Sequence, residues 1–172
     1  QKAAYYLKKA ADNNNKIAIF TYSHMLEQGD GIEKDLKEAA RYTKMSADED
    51  YNGAAQFKYG KMLENGTGVD HNMNEAIHYF KKSIKKGYDK AIFHYANLLY
   101  RGNKIDRNLN EAIKLLKLGV EKNNRRSMNL LASILYNGEG IEANKIEAAK
   151  LFKITADQGD VDGCLYIMKM ID

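Results

Sequence analysis

The chain repeats a glycine turn at a nearly constant interval, and this feature constrains its fold more than any other. The turns occupy residues 28–32, 65–69, 101–105 and 137–141, and their first glycines lie 37, 36 and 36 residues apart. A period of this length is typical of stacked arrays, in which each unit buries its apolar face only against its neighbours. The sequence therefore predicts a repeat array, and this architecture argues against an enzyme.

Ahead of each glycine turn the apolar residues follow the spacing of a helix, which we term helix A. A small residue is followed four positions later by a large one in the pairs Ala18/Tyr22, Ala55/Tyr59, Ala91/Tyr95 and Ser127/Leu131. Residues at this spacing share one helical face. The first glycine of each turn occupies the position where a left-handed cap ends a helix. In the third turn Lys104 replaces the second glycine, so we expect that turn to be strained or differently shaped.

A second helix, helix B, is predicted after each turn. It opens with an Asx residue and a glutamate three positions later, in the pairs Asp35/Glu38, Asn72/Glu75, Asn108/Glu111 and Asn144/Glu147. In such a capping box the Asx side chain accepts from an amide of the first turn, and the glutamate reaches back to the amide of the cap residue. Four boxes in register indicate four copies of helix B.

These elements divide the chain into one continuous array. We assign residues 1–14 to a partial helix B, residues 15–51, 52–87, 88–123 and 124–159 to four repeats, and residues 160–172 to a partial helix A. The chain begins without methionine inside a helical pattern and ends inside another. We therefore expect it to be a piece of a longer protein.

Charge and hydropathy limit the kinds of partner. The net charge is +4, from 27 basic and 23 acidic residues, which is too balanced for a typical nucleic-acid-binding surface. The short basic clusters at residues 81–86 and 125–126 are interpreted as solvated helix faces. No apolar run approaches the ~18 residues of a membrane span. We therefore expect neither nucleic-acid binding nor membrane insertion.

The single cysteine, Cys164, excludes an intrachain disulfide and favours a reducing compartment such as the cytoplasm. A secretory lumen stays open, because residues 65–67 form a glycosylation sequon. One repeat column holds Ile19, Gln56, Ile92, Met128 and Cys164. This column predicts a partly buried, inert thiol for Cys164.

No constellation of catalytic or metal-binding residues stands out, so we expect no cofactor and no metal. The four histidines, His24, His71, His78 and His94, show no metal-ligand spacing, and surface or structural roles are expected. The glycine turns follow helices rather than strands, and they lack the lysine and hydroxyl of a phosphate-binding loop.

The repeat columns resemble those of the Sel-1-like repeat family, which is related to the tetratricopeptide repeats. Residues 55–87 match nearly all of the family pattern, and the fourth unit ends with its typical Ala-Asp-Gln-Gly at residues 156–159. The resemblance implies an all-α, right-handed superhelical solenoid of antiparallel helix pairs, and a role as an adaptor that assembles protein complexes. A lone cysteine argues against the disulfide-stapled, cysteine-rich branch of the family.

The same resemblance implies that the A helices line a concave face, where a polar stripe is the candidate binding groove. Its central residues are His24, Lys58, Lys61, His94, Asn97 and Arg101. The stripe contains no carboxylate, so it is suited to an acidic peptide. A merely solvated face is the alternative. A neighbouring aromatic column of Phe20, Phe57 and Phe93 either packs between repeats or offers anchors to a ligand.

Two function classes therefore stay open. The first is a scaffold that binds a peptide or protein segment on the A-helix face. The second is a regulatory or spacer array of a larger protein whose catalytic domain, such as a kinase, lies outside this chain. Intrinsic hydrolase activity would need a nucleophile and a base in one pocket, and the columns offer no such pair.

Overall fold

The computed structural model describes residues 2–49 and 52–171, and for residues 170 and 171 it describes the backbone alone. The predicted repeat limits at residues 1, 51 and 172 lie outside this part of the chain. Within it the secondary structure consists of helices: α1 (Lys2–Asp12), α2 (Lys16–Gln28), α3 (Leu36–Asp48), α4 (Gly53–Asn65), α5 (Met73–Lys85), α6 (Asp89–Arg101), α7 (Leu109–Glu121), α8 (Arg125–Asn137), α9 (Lys145–Asp157) and α10 (Val161–Ile171).

Consecutive helices form antiparallel pairs, with the even-numbered helices as helix A and the odd-numbered ones as helix B. In the second repeat the hydroxyl of Ser83, near the end of α5, donates to the carbonyl of Gly53 at the start of α4, at 2.6 Å. At the other end of the pair the amide of Asn72 donates to the carbonyl of Leu63, at 3.0 Å. The two bonds fix opposite ends of the pair, and this confirms the predicted helix A–turn–helix B unit.

Each helix A that precedes a turn ends at a left-handed glycine, as predicted. The φ angles are +76° at Gly29, +67° at Gly66, +63° at Gly102 and +70° at Gly138. The third turn differs from the others, also as predicted. Within the described residues only Asn14 and Asn123 combine a positive φ with a side chain, so Lys104 does not take the left-handed conformation of Gly68.

The capping boxes form only in part. The amides of Glu38, Glu75, Glu111 and Glu147 donate to the Asx side chains at 2.9, 3.1, 3.0 and 3.0 Å. The predicted return bond from the glutamate to the cap amide is wrong, because that amide already donates to the last turn of helix A. The bond from Asn72 to Leu63 recurs at cap residues 35, 108 and 144. The cap amide thus fixes the start of helix B against the end of helix A.

The helices group into two compact units, residues 1–91 (unit 1) and 92–172 (unit 2). In unit 1 the predicted core column of Ala55 and Tyr59 is buried. In unit 2 the fully buried Leu116, Ile134 and Phe152 form the centre of one apolar cluster. The small and large columns read from the sequence are therefore core in both units.

Unit 1 adds a polar link between successive B helices. The hydroxyl of Tyr42 donates to Asp12, and the hydroxyl of Tyr79 donates to Asp48 Oδ1 at 2.5 Å. The same tyrosine column in unit 2 holds Leu115 and Leu151. The two units therefore use the same column differently.

We expect this link to make unit 1 sensitive to alkaline pH. Burial, and then the hydrogen bond to the neighbouring aspartate, raises the pKa of Tyr42 and of Tyr79 to about 12, above the ordinary value of about 10. Between about pH 10 and 12 the unfolded chain loses these protons while the folded chain keeps them. The free energy of unfolding should therefore fall as pH rises through this window, by up to about 3 kcal/mol for each tyrosine.

Urea unfolding at about pH 9.5 and about pH 11.5 measures this loss. The Tyr79→Leu variant, which carries the residue found at this column in unit 2, should lose less stability than the unmodified chain between the two pH values. An equal loss in both proteins would contradict the assignment.

Candidate functional site

The predicted stripe residues of unit 1 lie on α2 and α4, and their charges are compensated there. Lys58 Nζ lies 2.9 Å from Glu27 Oε2, and Lys61 Nζ lies 2.7 Å from the buried Glu64. The first pair is close enough for an ion pair, but the ammonium is not aligned for a hydrogen bond. The stripe itself contains no carboxylate, but in unit 1 Glu27 and Glu64 lie beside the two lysines and compensate their charge.

The remaining unit 1 features do not form an anion site either. His24 is exposed on α2 and does not line the small recess of about 90 Å³ that Lys58 and Lys61 share with Glu27. A larger concavity of about 810 Å³ lies against α1, α2 and α3. It carries both signs of charge, with Lys8 and Lys34 set among Glu33, Asp35 and Glu38. Neither surface has an excess of unpaired cations.

The A helices of unit 2 form a groove of about 790 Å³ between α6, α8 and α10. Asn97 and Arg101, two of the predicted stripe residues, line this groove. His94 is half-buried on the same helix and is not among the lining residues. The groove therefore contains part of the stripe predicted from the sequence.

Three arginines give this groove its chemistry. Arg101 Nε donates to Asn97 Oδ1 at 3.2 Å, Arg125 Nη1 reaches the carbonyl of Gln158 at 3.5 Å, and the Arg126 guanidinium lies 6.0 Å from the centre of the Phe93 ring. Within the described residues no carboxylate forms an ion pair with any of the three. Each guanidinium keeps donors for a ligand.

A hydrogen-bonded network fixes the side of the groove formed by α8 and α10. Asn129 Nδ2 donates to Asp160 Oδ2 at 2.6 Å, and the Thr155 hydroxyl lies 2.7 Å from Asn129 Oδ1. The amide of Gly163 donates to the same Asp160 oxygen at 3.2 Å. The bond from Asn129, with that from Gly163, lowers the pKa of Asp160 below its ordinary value. This carboxylate is therefore used in holding α10 to α8.

Sequence signals for the rest of this groove are weak. Arg125 and Arg126 were interpreted as a solvated helix face, and the structure places both in the lining. Tyr166 also lines it and lies one period of 36 residues after Leu130, which is in the predicted stripe. Extending the stripe by one more period would have found Tyr166.

The prediction that Cys164 is partly buried is wrong. Cys164 is exposed on α10, whereas Ile19, Gln56, Ile92 and Met128 in the same column are buried. His71 and His78 are exposed, as predicted.

Across residues 2–49 and 52–171, no helix combines the length and the apolar character needed to span a bilayer. The same residues contain no group of three or more His, Cys, Asp or Glu side chains placed to hold a metal ion.

Solved structures of repeat proteins share this fold. A Sel1 repeat protein from Oxalobacter formigenes is 27% identical with a TM-score of 0.84, over 94% of this chain and 66% of that one. A protective antigen of uropathogenic Escherichia coli strains, which displays an SLR fold, is 22% identical with a TM-score of 0.87. The match covers 98% of this chain and 36% of that protein. Cysteine-rich protein B of Helicobacter pylori is 19% identical with a TM-score of 0.58. The match covers 76% of this chain and 93% of that protein. The predicted all-α helical repeat fold is thereby confirmed, whereas its right-handed superhelical twist stays a prediction.

The chain thus spans less than two thirds of the length of the first two of these proteins. A search of the curated proteins found no match. The family model described as Sel1 repeat matches residues 1–15, 17–51, 53–88, 89–124 and 125–160. Proteins with this repeat are generally non-catalytic scaffolds for protein interactions. Because the matches cover nearly the whole sequence, this chain belongs to the Sel1 repeat family.

Proposed function

We propose that the chain is a non-catalytic scaffold that binds an acidic, extended segment of a partner protein in the groove of unit 2. The observation that supports this most directly is the set of three arginines, Arg101, Arg125 and Arg126, which line one groove without a carboxylate partner among the described residues. The lining also contains two carboxylates, Asp160 and Asp162, of which Asp160 is held by Asn129 and Gly163. The three guanidinium groups outnumber these two carboxylates, so a carboxylate-bearing segment supplies the further negative charge.

Arginine is suited to this role. Its planar guanidinium binds a carboxylate through two parallel hydrogen bonds, and it stays charged at every physiological pH. The unit 1 lysines Lys58 and Lys61 already meet carboxylates of the chain itself. We therefore assign the anion affinity to the groove of unit 2.

The lining supports binding rather than catalysis. It contains neither histidine nor cysteine, and Asp160 is held in hydrogen bonds to Asn129 and Gly163. A nucleophile activated by an adjacent base, the usual requirement for hydrolysis, has no counterpart among these side chains.

Charge reversal in the groove should abolish binding of an acidic peptide. The probe is a fluorescein-labelled peptide of Glu, Ser and Gly residues, and its affinity for the chain is measured by fluorescence anisotropy. The Arg101→Glu/Arg126→Glu variant should bind at least about tenfold more weakly, because two attractive ion pairs become repulsive. Binding to the unmodified chain should also weaken as salt is added, since exposed charges are screened.

The matched control is Lys114→Glu/Lys117→Glu, which makes the same change of charge at two exposed positions of α7. This control should retain the affinity of the unmodified chain. Circular dichroism should show the same helix content in all three proteins. Equal weakening by both variants, or no binding of the peptide to the unmodified chain, would overturn the proposal.

A further inference from the structure

The apolar side chains of the unit 2 groove add information about the bound segment. One stripe column reads Thr21 and Lys58 in unit 1, and His94, Leu130 and Tyr166 in unit 2. The last two, Leu130 and Tyr166, line the groove, and so does Phe93 from the adjacent column. The groove therefore combines an apolar floor with the arginines described above.

Packing alone does not require apolar residues at this column. Thr21 is exposed on α2, so the repeat accepts a small polar side chain there. The neighbouring core positions Leu131 and Ala132 are fully or almost fully buried. Leu130 and Tyr166 rest on the apolar cluster of unit 2 with part of each side chain left accessible. The accessible apolar surface of these two side chains can therefore contact a ligand.

The apolar floor is also held in place before any ligand arrives. The Tyr166 ring stacks on the buried Phe152 ring with centroids 4.3 Å apart and an interplanar angle of 7°. Phe93 has the Arg126 guanidinium 6.0 Å from its ring centre. A side chain seated between Phe93 and Tyr166 therefore lies next to a charged donor. Preorganised aromatic surface of this kind binds at low entropic cost.

From this arrangement, and resting on the function proposed above, we infer that the bound segment carries a large apolar or aromatic side chain beside its acidic residue. The carboxylate pairs with Arg101 or Arg126, and the neighbouring ring or aliphatic group packs on Phe93, Leu130 and Tyr166. The charge complementarity selects an acidic segment, and the apolar floor selects among acidic segments.

Two probe peptides test this inference on the unmodified chain. Both are fluorescein-labelled and made of Glu, Ser and Gly, and they differ only in a Phe or an Ala next to the central Glu. The Phe peptide should bind about tenfold more tightly, which is the effect of burying one aromatic side chain at a partly exposed site. This comparison does not depend on the folding of any variant.

The Leu130→Thr variant, which carries the residue found at this column in the first repeat, provides the complementary test. It should lose most of the preference for the Phe peptide and keep the affinity for the Ala peptide. The control Ile146→Thr removes an isoleucine that is 74% exposed at the start of α9, outside the groove lining. This control should keep the full preference.

The outcomes separate the two proposals. If both peptides bind equally and the Arg101→Glu/Arg126→Glu variant loses both, the proposed function holds and the apolar inference is wrong. If neither peptide binds, or charge reversal has no effect, the proposed function is wrong as well. A preference for Phe that Leu130→Thr and Ile146→Thr reduce equally would also overturn the inference.

Discussion

Gly68→Ala should lower the free energy of unfolding by about 3 kcal/mol or more. Gly68 has a φ of +71°, a conformation that costs a residue with a side chain about 1–2 kcal/mol. In addition, a Cβ at this position would overlap the backbone carbonyl of Leu36 at the start of α3. A backbone group cannot move aside as a flexible side chain can, so the turn of the second repeat would separate from α3.

Gly31→Ala is the matched control, because it separates the cost of backbone conformation from the cost of contact. Gly31 has nearly the same φ, +70°, but a Cβ there has no atom within 4 Å. Its substitution should cost only about 1 kcal/mol. Urea unfolding followed by circular dichroism measures both variants. Equal losses would show that the contact between Gly68 and Leu36 does not contribute to stability.

The sequence predicted the repeat unit well because its signals are local and occur several times. A glycine cap, an Asx cap and a small–large pair each lie within a few residues of the backbone they control. Gly66 and Asn72 therefore sit where the pattern placed them. The capping glutamates show the limit of this reasoning. Glu75 was assigned a bond to the amide of Asn72, but that amide reaches α4 instead, because the paired helix offers a nearer carbonyl.

The candidate site was predicted less well because it depends on neighbours far apart in sequence. The stripe residues Asn97 and Arg101 line a groove, and their role in binding stays a prediction. The partner of Lys58, however, is Glu27 in the preceding repeat, and no local pattern links them. Whether a cation is compensated depends on which side chains of the adjacent helix face it. That information appears only when the helices are packed.

Gln56 is the core residue that departs most from its own repeat column. Apart from the exposed Cys164, the column otherwise holds Ile19, Ile92 and Met128, all buried. Gln56 is fully buried as well, and neither its amide nitrogen nor its amide oxygen has a hydrogen-bond partner among the described residues. Burial of an amide without such bonds costs about 1–3 kcal/mol on scales drawn from protein mutations. The rest of the fold must offset this cost.

Gln56→Met should therefore stabilise the chain, against the usual direction of a core substitution. Methionine has a similar length, is unbranched and fits irregular gaps, so the apolar contacts are kept while the unpaired amide is removed. We expect the free energy of unfolding to rise by about 1–3 kcal/mol, and the unfolding midpoint in urea should rise with it.

The reciprocal change, Met128→Gln, places the same amide at the same column in unit 2. It should destabilise the chain by about 1–3 kcal/mol, since the new amide enters a position that is only 3% exposed. Urea unfolding followed by circular dichroism measures both variants under identical conditions. A loss of stability in Gln56→Met would show that the Gln56 amide is hydrogen-bonded in solution, most simply by a buried water. In that case the substitution would leave the water's other hydrogen-bond partners unsatisfied. A polar side chain would then be stable at this column only in a repeat where such a water fits.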